Sequence, residues 1–232
     1  MRRILLMVLR LIYIVPVYFY RIWKYSKDET ASFEEKYAYV KKVTKRANRA
    51  GRVTLEVHGL ENLPREDGFI LYPNHQGMFD VLVFFDSCPA PFTFVLKKEA
   101  RNLILLKQVA DALGALAIDR ENLRQSMQVI NTMAEQVKKG RNFLIFAEGT
   151  RSKLGNQLLE FKGGSFKAAV KAKCPIVPCA LKDSFVPFDE NTIRPVTVKV
   201  QYLPPMYYEE YKDMNTREIA AEVKRRIQCA IG

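Results

Sequence analysis

The chain contains few of the residues that build metal sites and disulfide scaffolds. Its 232 residues include two histidines and four cysteines, and no two cysteines form a CxxC pair, which excludes the common zinc and redox signatures. Scattered cysteines of this kind are typical of free thiols in a reducing compartment. Hydrophobic residues make up 48% and charged residues 27% of the chain. This composition excludes a disordered, collagen-like or many-span membrane protein and indicates a globular one.

The charge of the chain is unevenly distributed. Lysine and arginine number 37 against 25 acidic residues, a net charge of +12. Residues 1–52 hold 13 basic and 4 acidic residues, a net of +9, so residues 53–232 contribute only +3. A nucleic-acid-binding protein usually carries its basic surface on the folded domain or in a polar tail. In this chain the excess of basic residues flanks an apolar segment. This arrangement argues against nucleic acid as the partner and indicates an anionic membrane surface.

The apolar segment covers residues 4–23 and is interrupted only by Arg10, Pro16 and Arg21. As one helix it would be about 30 Å long, enough to cross the core of a bilayer. A charge near the middle of a span is costly, however, and proline kinks or ends a helix. We therefore expect a helix that enters one leaflet. A cleaved signal peptide is less favoured, because no small-residue cleavage site follows.

A second, basic helix is predicted to follow. Ser32 is placed to cap its N-terminus, with Glu35 three residues later, and residues 36–52 contain no acidic side chain. An apolar helix beside a basic amphipathic one provides two signals for stable membrane anchoring. We therefore predict that residues 1–52 attach the protein to the cytoplasmic face of the cell membrane. The alternative is that the basic residues form the solvated face of a helix packed on the core.

Residues 53–232 are predicted to form a single α/β domain with a mixed, largely parallel sheet flanked by helices. Val53, Leu55 and Val57 alternate as in a half-buried strand, and the later apolar runs are typical of strands covered on both faces. These later runs are 69–72, 92–96, 114–118, 143–146, 176–181 and 196–203. The predicted helices cover 79–87, 99–112, 121–139, 164–173 and 215–230.

The more informative histidine is His75, which follows the run at 69–72 and precedes Asp80 by five residues. Five residues along one helix turn two side chains about 140° apart, so the pair meets only if His75 lies in a turn before the helix. Asp80 would then fix one imidazole nitrogen and leave the other as a base. His58 lies within a strand pattern with no acid to orient it, and is predicted to be structural.

Three further strand ends present polar or basic residues. Residues 146–152 (FAEGTRS) suit a tight turn whose N–H groups and Arg151 face an anion. Lys97 and Lys98 follow the run at 92–96, and Arg120 follows the run at 114–118. Active sites of open α/β sheets assemble at the carboxyl ends of strands, so these residues and His75 are candidates for one site.

Four blocks at these positions resemble the glycerolipid acyltransferase family. NHQGMFD (74–80) fits its NHxxxxD motif, FAEGTRS fits its FxEGTRS motif, and GALAIDR (114–120) and CPIVPCAL (174–181) resemble two further blocks. They occur in the family order, and the resemblance covers residues 50–205. Chain length and the N-terminal segment are most similar to the bacterial 1-acylglycerol-3-phosphate acyltransferases.

The resemblance implies a role for each matching residue. His75 would be the general base, Asp80 would orient it, and Asn74 would shape the turn. Arg120 is expected among the substrate-binding residues, with a structural salt bridge as the alternative. The acceptor phosphate site would be formed by Glu148, Gly149, Thr150 and Arg151, with Arg151 as the main ligand. Lys97 would add to this site, with Lys98 as the alternative.

The resemblance also implies a reaction. A fatty acyl group would move from acyl-CoA or acyl carrier protein to the free hydroxyl of lysophosphatidic acid, giving phosphatidic acid. No metal or other cofactor is expected. Because no serine or cysteine nucleophile is evident, no covalent acyl-enzyme is expected either. The alternatives are an acceptor with another lysophospholipid headgroup, glycerol 3-phosphate as the acceptor, or a non-enzymatic scaffold at the membrane surface.

Overall fold

The computed structural model describes residues 2–119 and 121–232. These residues form one seven-stranded sheet with helices on both faces, which confirms the predicted α/β class. The strands are β1 (Val53–His58), β2 (Ile70–Pro73), β3 (Phe92–Lys97), β4 (Leu116–Ile118), β5 (Asn142–Leu144), β6 (Ile176–Lys182) and β7 (Val196–Tyr202). The helices are α1 (Arg2–Arg10), α2 (Val15–Tyr25), α3 (Phe33–Ala50), α4 (Asp80–Ser87), α5 (Leu106–Ala112), α6 (Leu123–Lys138), α7 (Lys167–Ala172), α8 (Val186–Asp189), α9 (Tyr208–Tyr211) and α10 (Thr216–Ile231).

The strand order across the sheet is β1-β7-β6-β2-β5-β3-β4. The five strands from β6 to β4 are parallel, whereas β7 is antiparallel to β6 and β1 is parallel to β7. The sheet is therefore mixed and largely parallel, as predicted, and every predicted run overlaps a strand. The carboxyl ends of the five parallel strands share one edge of the sheet, which we call the carboxyl edge.

The helices differ from the predictions mainly between β3 and β4. The single helix predicted over 99–112 is instead a 3₁₀ turn at Lys98–Asn102 followed by α5, because Leu105 adopts a φ of +70° that no α-helix accommodates. The predicted helix at 164–173 likewise begins with a 3₁₀ turn, Gly163–Phe166, before α7. The one-turn helices α8 and α9 lie in segments where no helix was predicted.

The hydrophobic core lies in two layers, one on each face of the sheet. Successive residues of β2 alternate between them: Ile70 packs in the layer beneath α6 and α10, and Leu71 in the layer beneath α3 and α4. Because these strands are buried on both faces, their sequences are continuously apolar. The four cysteines are free thiols, of which Cys88, Cys174 and Cys179 are buried and Cys229 is exposed.

The N-terminal apolar segment forms two helices rather than one. The axes of α1 and α2 are bent by 97° to each other, and Pro16 lies in the first turn of α2, where its missing N–H costs nothing. Among the described residues no single helix is long and apolar enough to cross a bilayer, whereas this bent pair meets both criteria together.

The third helix, α3, is capped as predicted, since the Ser32 hydroxyl oxygen accepts the N–H of Glu35. Its apolar stripe, which includes Tyr37 and Val40, packs in the core layer that also contains α4. Its lysines and arginines at positions 42, 45, 46 and 49 are exposed. The apolar face of α3 therefore belongs to the core of the domain, and membrane contact by its basic face stays a prediction.

Candidate active site

The chain makes a turn between the end of β2 and the start of α4, and this turn joins His75 to Asp80. Asp80 is the first residue of α4, and the Nδ1 atom of His75 lies 2.7 Å from its Oδ2 atom. On one continuous helix these side chains would point in different directions. Because His75 lies in the turn before the helix, the geometric condition set by the sequence is met.

Asp80 is held by more than its histidine. Its carboxylate accepts the backbone N–H groups of Gln76, at 2.6 Å, and Gly77, at 3.0 Å, together with the hydroxyl of Ser184, at 2.7 Å. The side chain of Asp80 is fully buried, whereas that of His75 keeps 21% of its surface exposed. A carboxylate fixed in this way accepts the Nδ1–H of His75 and leaves the lone pair on Nε2 as a base.

The imidazole of His75 is also fixed by the loop that follows β5. Its ring stacks on Phe146, with centroids 4.0 Å apart and planes inclined by 20°. The backbone N–H of His75 donates to Glu148 Oε1 at 2.8 Å, and its carbonyl accepts the N–H of Ser152 at 2.8 Å. Within the described chain Nε2 has no hydrogen-bond partner, so the proposed base is oriented but unengaged.

Glu148 lies behind His75, pointing into the protein. Its second oxygen, Oε2, accepts the N–H of Leu159 at 3.1 Å, and the residue is buried. Burial raises the pKa of Glu148, and the hydrogen bonds from His75 and Leu159 oppose that rise. Its carboxylate binds the backbone of this chain, so any contribution to a phosphate site would come through the loop that it holds in place.

Asn74 connects the turn to the neighbouring strand β6. Its Oδ1 accepts the N–H of Leu181 at 2.7 Å, and its Nδ2 donates to the carbonyl of the same residue at 3.0 Å. Both functional groups of a fully buried amide are thereby satisfied. Asn74 therefore fixes the position of the turn, and its part in the reaction stays a prediction.

Sequence reasoning missed two residues of this site, Gln76 and Ser184. The Oε1 atom of Gln76 accepts the backbone N–H of Ser184 at 2.9 Å, which places the Ser184 hydroxyl against Asp80. Ser184 lies two residues beyond the carboxyl end of β6, at the same edge as His75. Its position two residues after a buried strand was the available signal, but a serine there is too common to stand out.

A close approach between two segments requires glycine at position 77. A Cβ atom built on Gly77 would lie 2.8 Å from Asp189 Oδ2 and 2.9 Å from the Cα of Phe185. The residue is therefore required for the close approach of the segment that contains α8. Gly149, in contrast, has a φ of +79°, which glycine adopts without steric cost.

The loop after β5 presents the candidate anion-binding residues. Thr150 is exposed, and the side chain of Arg151 is 35% exposed. The Nη1 atom of Arg151 lies 3.8 Å from Asp189 Oδ1, at the long end of the ion-pair range. An exposed pair at this distance contributes little free energy, so the guanidinium is available to a stronger anion.

The remaining candidates that the structure describes, Lys97 and Lys98, lie at the end of β3. Lys97 ends β3, the strand next to β5, and its exposed side chain lies 3.3 Å from Glu99. Lys98 pairs instead with Asp119, at 3.3 Å. Arg120 lies outside the described residues.

Neither the second histidine, His58, nor a metal site forms part of this cluster among the described residues. The expectation that no acid orients His58 is wrong, because its Nε2 atom lies 2.9 Å from Glu56 Oε1; both side chains are exposed on β1, outside this cluster. The described residues include no group of three or more His, Cys, Asp or Glu side chains that would hold a metal ion. The expectation that the chemistry needs no metal stays a prediction.

Comparisons with known proteins show the family of the chain. The family model described as Acyltransferase matches residues 54–182, which is more than half of the chain and includes the turn, the β5 loop and β6. Similar curated proteins are the 1-acyl-sn-glycerol-3-phosphate acyltransferases of Salmonella typhimurium, 33% identical over 163 residues, and of Escherichia coli, 32% identical over 156 residues. The matches cover 70% and 67% of this chain, and 66% and 63% of those proteins, which is slightly less than two thirds of their length.

A solved structure is similar over nearly the whole chain. The crystal structure of the 1-acyl-sn-glycerophosphate (LPA) acyltransferase PlsC from Thermotoga maritima superposes with a TM-score of 0.76 at 25% sequence identity. The superposition covers 98% of this chain and 96% of that one, so it includes the N-terminal helices. The chain belongs to the acyltransferase family.

Proposed function

We propose that this chain transfers a fatty acyl group from an acyl thioester to the free hydroxyl of 1-acylglycerol 3-phosphate, giving phosphatidic acid. The observation that carries the proposal is the 2.7 Å contact of His75 with the buried carboxylate of Asp80 at the carboxyl edge. The relatives named for this reaction support the choice of acceptor.

In this reaction His75 acts as the general base. The acceptor hydroxyl attacks the thioester carbonyl while Nε2 takes its proton, and collapse of the tetrahedral intermediate breaks the carbon–sulfur bond. The proton then passes to the departing thiolate. General-base catalysis of this kind contributes typically ~10²–10⁴ in rate. Asp80 stabilises the imidazolium that forms, and the acyl group never becomes attached to the protein.

The acceptor phosphate binds beside this base, in a site formed by Arg151, Lys97 and the backbone of Gly149 and Thr150. The long contact of Arg151 with Asp189 supports this assignment, because a phosphate accepts two parallel guanidinium bonds and carries more charge than one carboxylate. Arg120 is included in this site on the basis of the sequence alone. The donor is acyl-CoA or acyl carrier protein, both acidic, and basic side chains at the carboxyl edge suit either.

The reaction takes place at the cytoplasmic face of the cell membrane, where the lysophospholipid acceptor resides. The apolar pair α1–α2 and the exposed basic face of α3 support this location, because buried apolar area and attraction to anionic lipid together give stable attachment.

The proposal is tested by acyl transfer in vesicles. The purified protein receives labelled acyl-CoA or acyl carrier protein with lysophosphatidic acid, and the H75A variant serves as the control. We expect labelled phosphatidate from the wild-type protein only, and the active donor identifies the thioester used. Parallel assays use other lysophospholipids and glycerol 3-phosphate as acceptors. If one of these is acylated and lysophosphatidic acid is not, the proposed acceptor is wrong.

A further inference from the structure

The segment that joins β3 to α5 carries an exposed apolar tip. Its three residues are Leu103, Ile104 and Leu105, whose exposed fractions are 51%, 83% and 45%. Three consecutive large apolar side chains at such exposure are unusual on a soluble surface, where apolar residues are normally scattered singly. The tip does not belong to the proposed catalytic turn or to the anion-binding loop.

The tip is held in its exposed conformation by hydrogen bonds. The N–H of Leu105 donates to the side chain of Gln108 at 2.7 Å, and the N–H of Lys107 donates to the carbonyl of Leu103 at 2.9 Å. Leu105 itself has a φ of +70°, a conformation that is strained for a leucine and persists only where its surroundings enforce it. A strained, hydrogen-bonded backbone that presents leucines outward is typical of a functional surface.

The surroundings of the tip identify its partner. Residues 97–107 include four basic side chains and one acidic side chain. Arg101 and Lys107 are each about half exposed beside the tip and both pair with Asp111, at 3.2 and 2.5 Å. Exposed ion pairs of this kind contribute little free energy, so lipid phosphates can compete for the two cations. Apolar side chains between cations complement an anionic lipid surface, where the former enter the acyl region and the latter contact headgroups.

The tip also adjoins the N-terminal helix pair. Helix α5, which begins directly after the tip, packs on α2. Helix α2 in turn exposes Val17, Tyr20 and Trp23. The tip therefore extends an apolar surface that is already present on α1 and α2, and it places that surface beside the end of β3.

We propose that Leu103, Ile104 and Leu105 insert into an anionic bilayer and form a second membrane contact, separate in sequence from the N-terminal helices. The two contacts hold the carboxyl edge against the membrane. Lipid binding by the tip does not depend on the proposed reaction, so binding and activity are measured separately.

The first experiment places a fluorophore at the tip. The chain has one tryptophan, so W23F gives a tryptophan-free background into which I104W is introduced. The matched control is L60W, at an exposed leucine that follows β1 at the opposite edge of the sheet. Vesicles of phosphatidylcholine and phosphatidylglycerol are added, with and without bromine-labelled acyl chains as a quencher.

We expect the emission of the I104W protein to shift to shorter wavelength on vesicles and to be quenched by the brominated lipid, with no change for L60W. Unchanged I104W emission while the protein floats with the vesicles would overturn the proposal. A blue-shifted emission that rises with protein concentration in the absence of lipid would show a second copy of the chain at the tip, and would overturn it as well.

The second experiment measures the contribution of the tip to binding. We expect I104D to lower vesicle partitioning by about tenfold, as for the loss of one buried aliphatic side chain, and L60D to leave it unchanged. Because Ile104 is the most exposed of the three residues, the variant should keep the thermal midpoint of the wild-type protein. Equal partitioning of I104D and wild type would contradict the proposal, whether or not either protein transfers acyl groups.

Discussion

The turn at 74–80 and the loop at 148–151 lie side by side at the carboxyl edge, yet their side chains are held very differently. In the turn, Asp80 is fully buried and accepts hydrogen bonds from Gln76, Gly77 and Ser184 besides its contact with His75. In the loop, Thr150 is exposed and Arg151 makes one long ion pair.

The difference follows from what each region would bind. A general base must be oriented before the substrate arrives, because misplacement of a reacting group lowers the rate steeply. A cation that binds a phosphate on a mobile lipid gains from a side chain that remains free to move towards it. The comparison therefore predicts rate effects from changes in the turn and binding effects from changes in the loop.

The largest expected effect is that of H75A. Loss of the base should lower kcat/KM to less than about a hundredth of the wild-type value, with an unchanged circular dichroism spectrum because the ring is partly exposed. Single-turnover acyl transfer measures the rate, and H58A serves as the matched histidine control. A variant that keeps more than about a hundredth of the activity would show that His75 is not the base.

R151A should separate the two regions most clearly. Removal of a charged hydrogen-bond donor should raise the KM for the acceptor about 10- to 100-fold, with a much smaller effect on the KM for the donor. R225A, an arginine in an exposed ion pair with Glu222, provides the control. Equal increases in both KM values would remove Arg151 from the phosphate site.

S184A tests whether the support of Asp80 matters for the rate. Loss of one charge-assisted hydrogen bond should lower kcat about tenfold and leave both KM values unchanged, whereas S184T should restore most of the rate. S87A also loses a hydroxyl with hydrogen-bond partners, but at the other end of α4, and should keep the wild-type kcat. A rise in KM without a fall in kcat would assign Ser184 to the substrate site instead.

The smallest effect concerns Glu148, the residue of the loop that supports the turn. Burial raises its pKa in the folded protein, so the protonated form is favoured by folding. The stabilisation of the wild-type protein relative to E148Q should be complete below the unfolded pKa of about 4.5 and should be lost as the pH rises through the folded pKa. Urea unfolding of both proteins from pH 4 to pH 8 measures it. A difference that grows with pH would mean that the two N–H bonds outweigh burial.

Much of the fold was predictable because its signals are local. Continuous apolar runs such as 69–72 are buried on both faces of the sheet, and the Ser32 cap requires only residues of the same helix. The break before α5 was missed, because the residues at 99–112 carry a helical pattern while the strained φ of Leu105 depends on hydrogen bonds formed in the folded chain.

Arg3 shows where such local reasoning fails. The sequence placed it next to an apolar membrane segment, yet its guanidinium is fully buried and donates to the carbonyls of Gly51, Pro187 and Arg194. These three carbonyls accept hydrogen bonds from the buried cation, and the charge of Glu190 adds to its stabilisation. These partners lie far from Arg3 in the chain, so no pattern near residue 3 reveals them.

The sequence by itself determined the α/β class, the polar residues at the strand ends and the condition under which His75 meets Asp80, because hydrophobic periodicity and residue chemistry are properties of short segments. Only the tertiary structure decided that Glu148 points inward, that Ser184 supports Asp80 and that Leu103–Leu105 remain exposed. Those outcomes depend on which distant segments satisfy buried polar groups and which surfaces no segment covers, and such contacts exist only once the whole chain has folded.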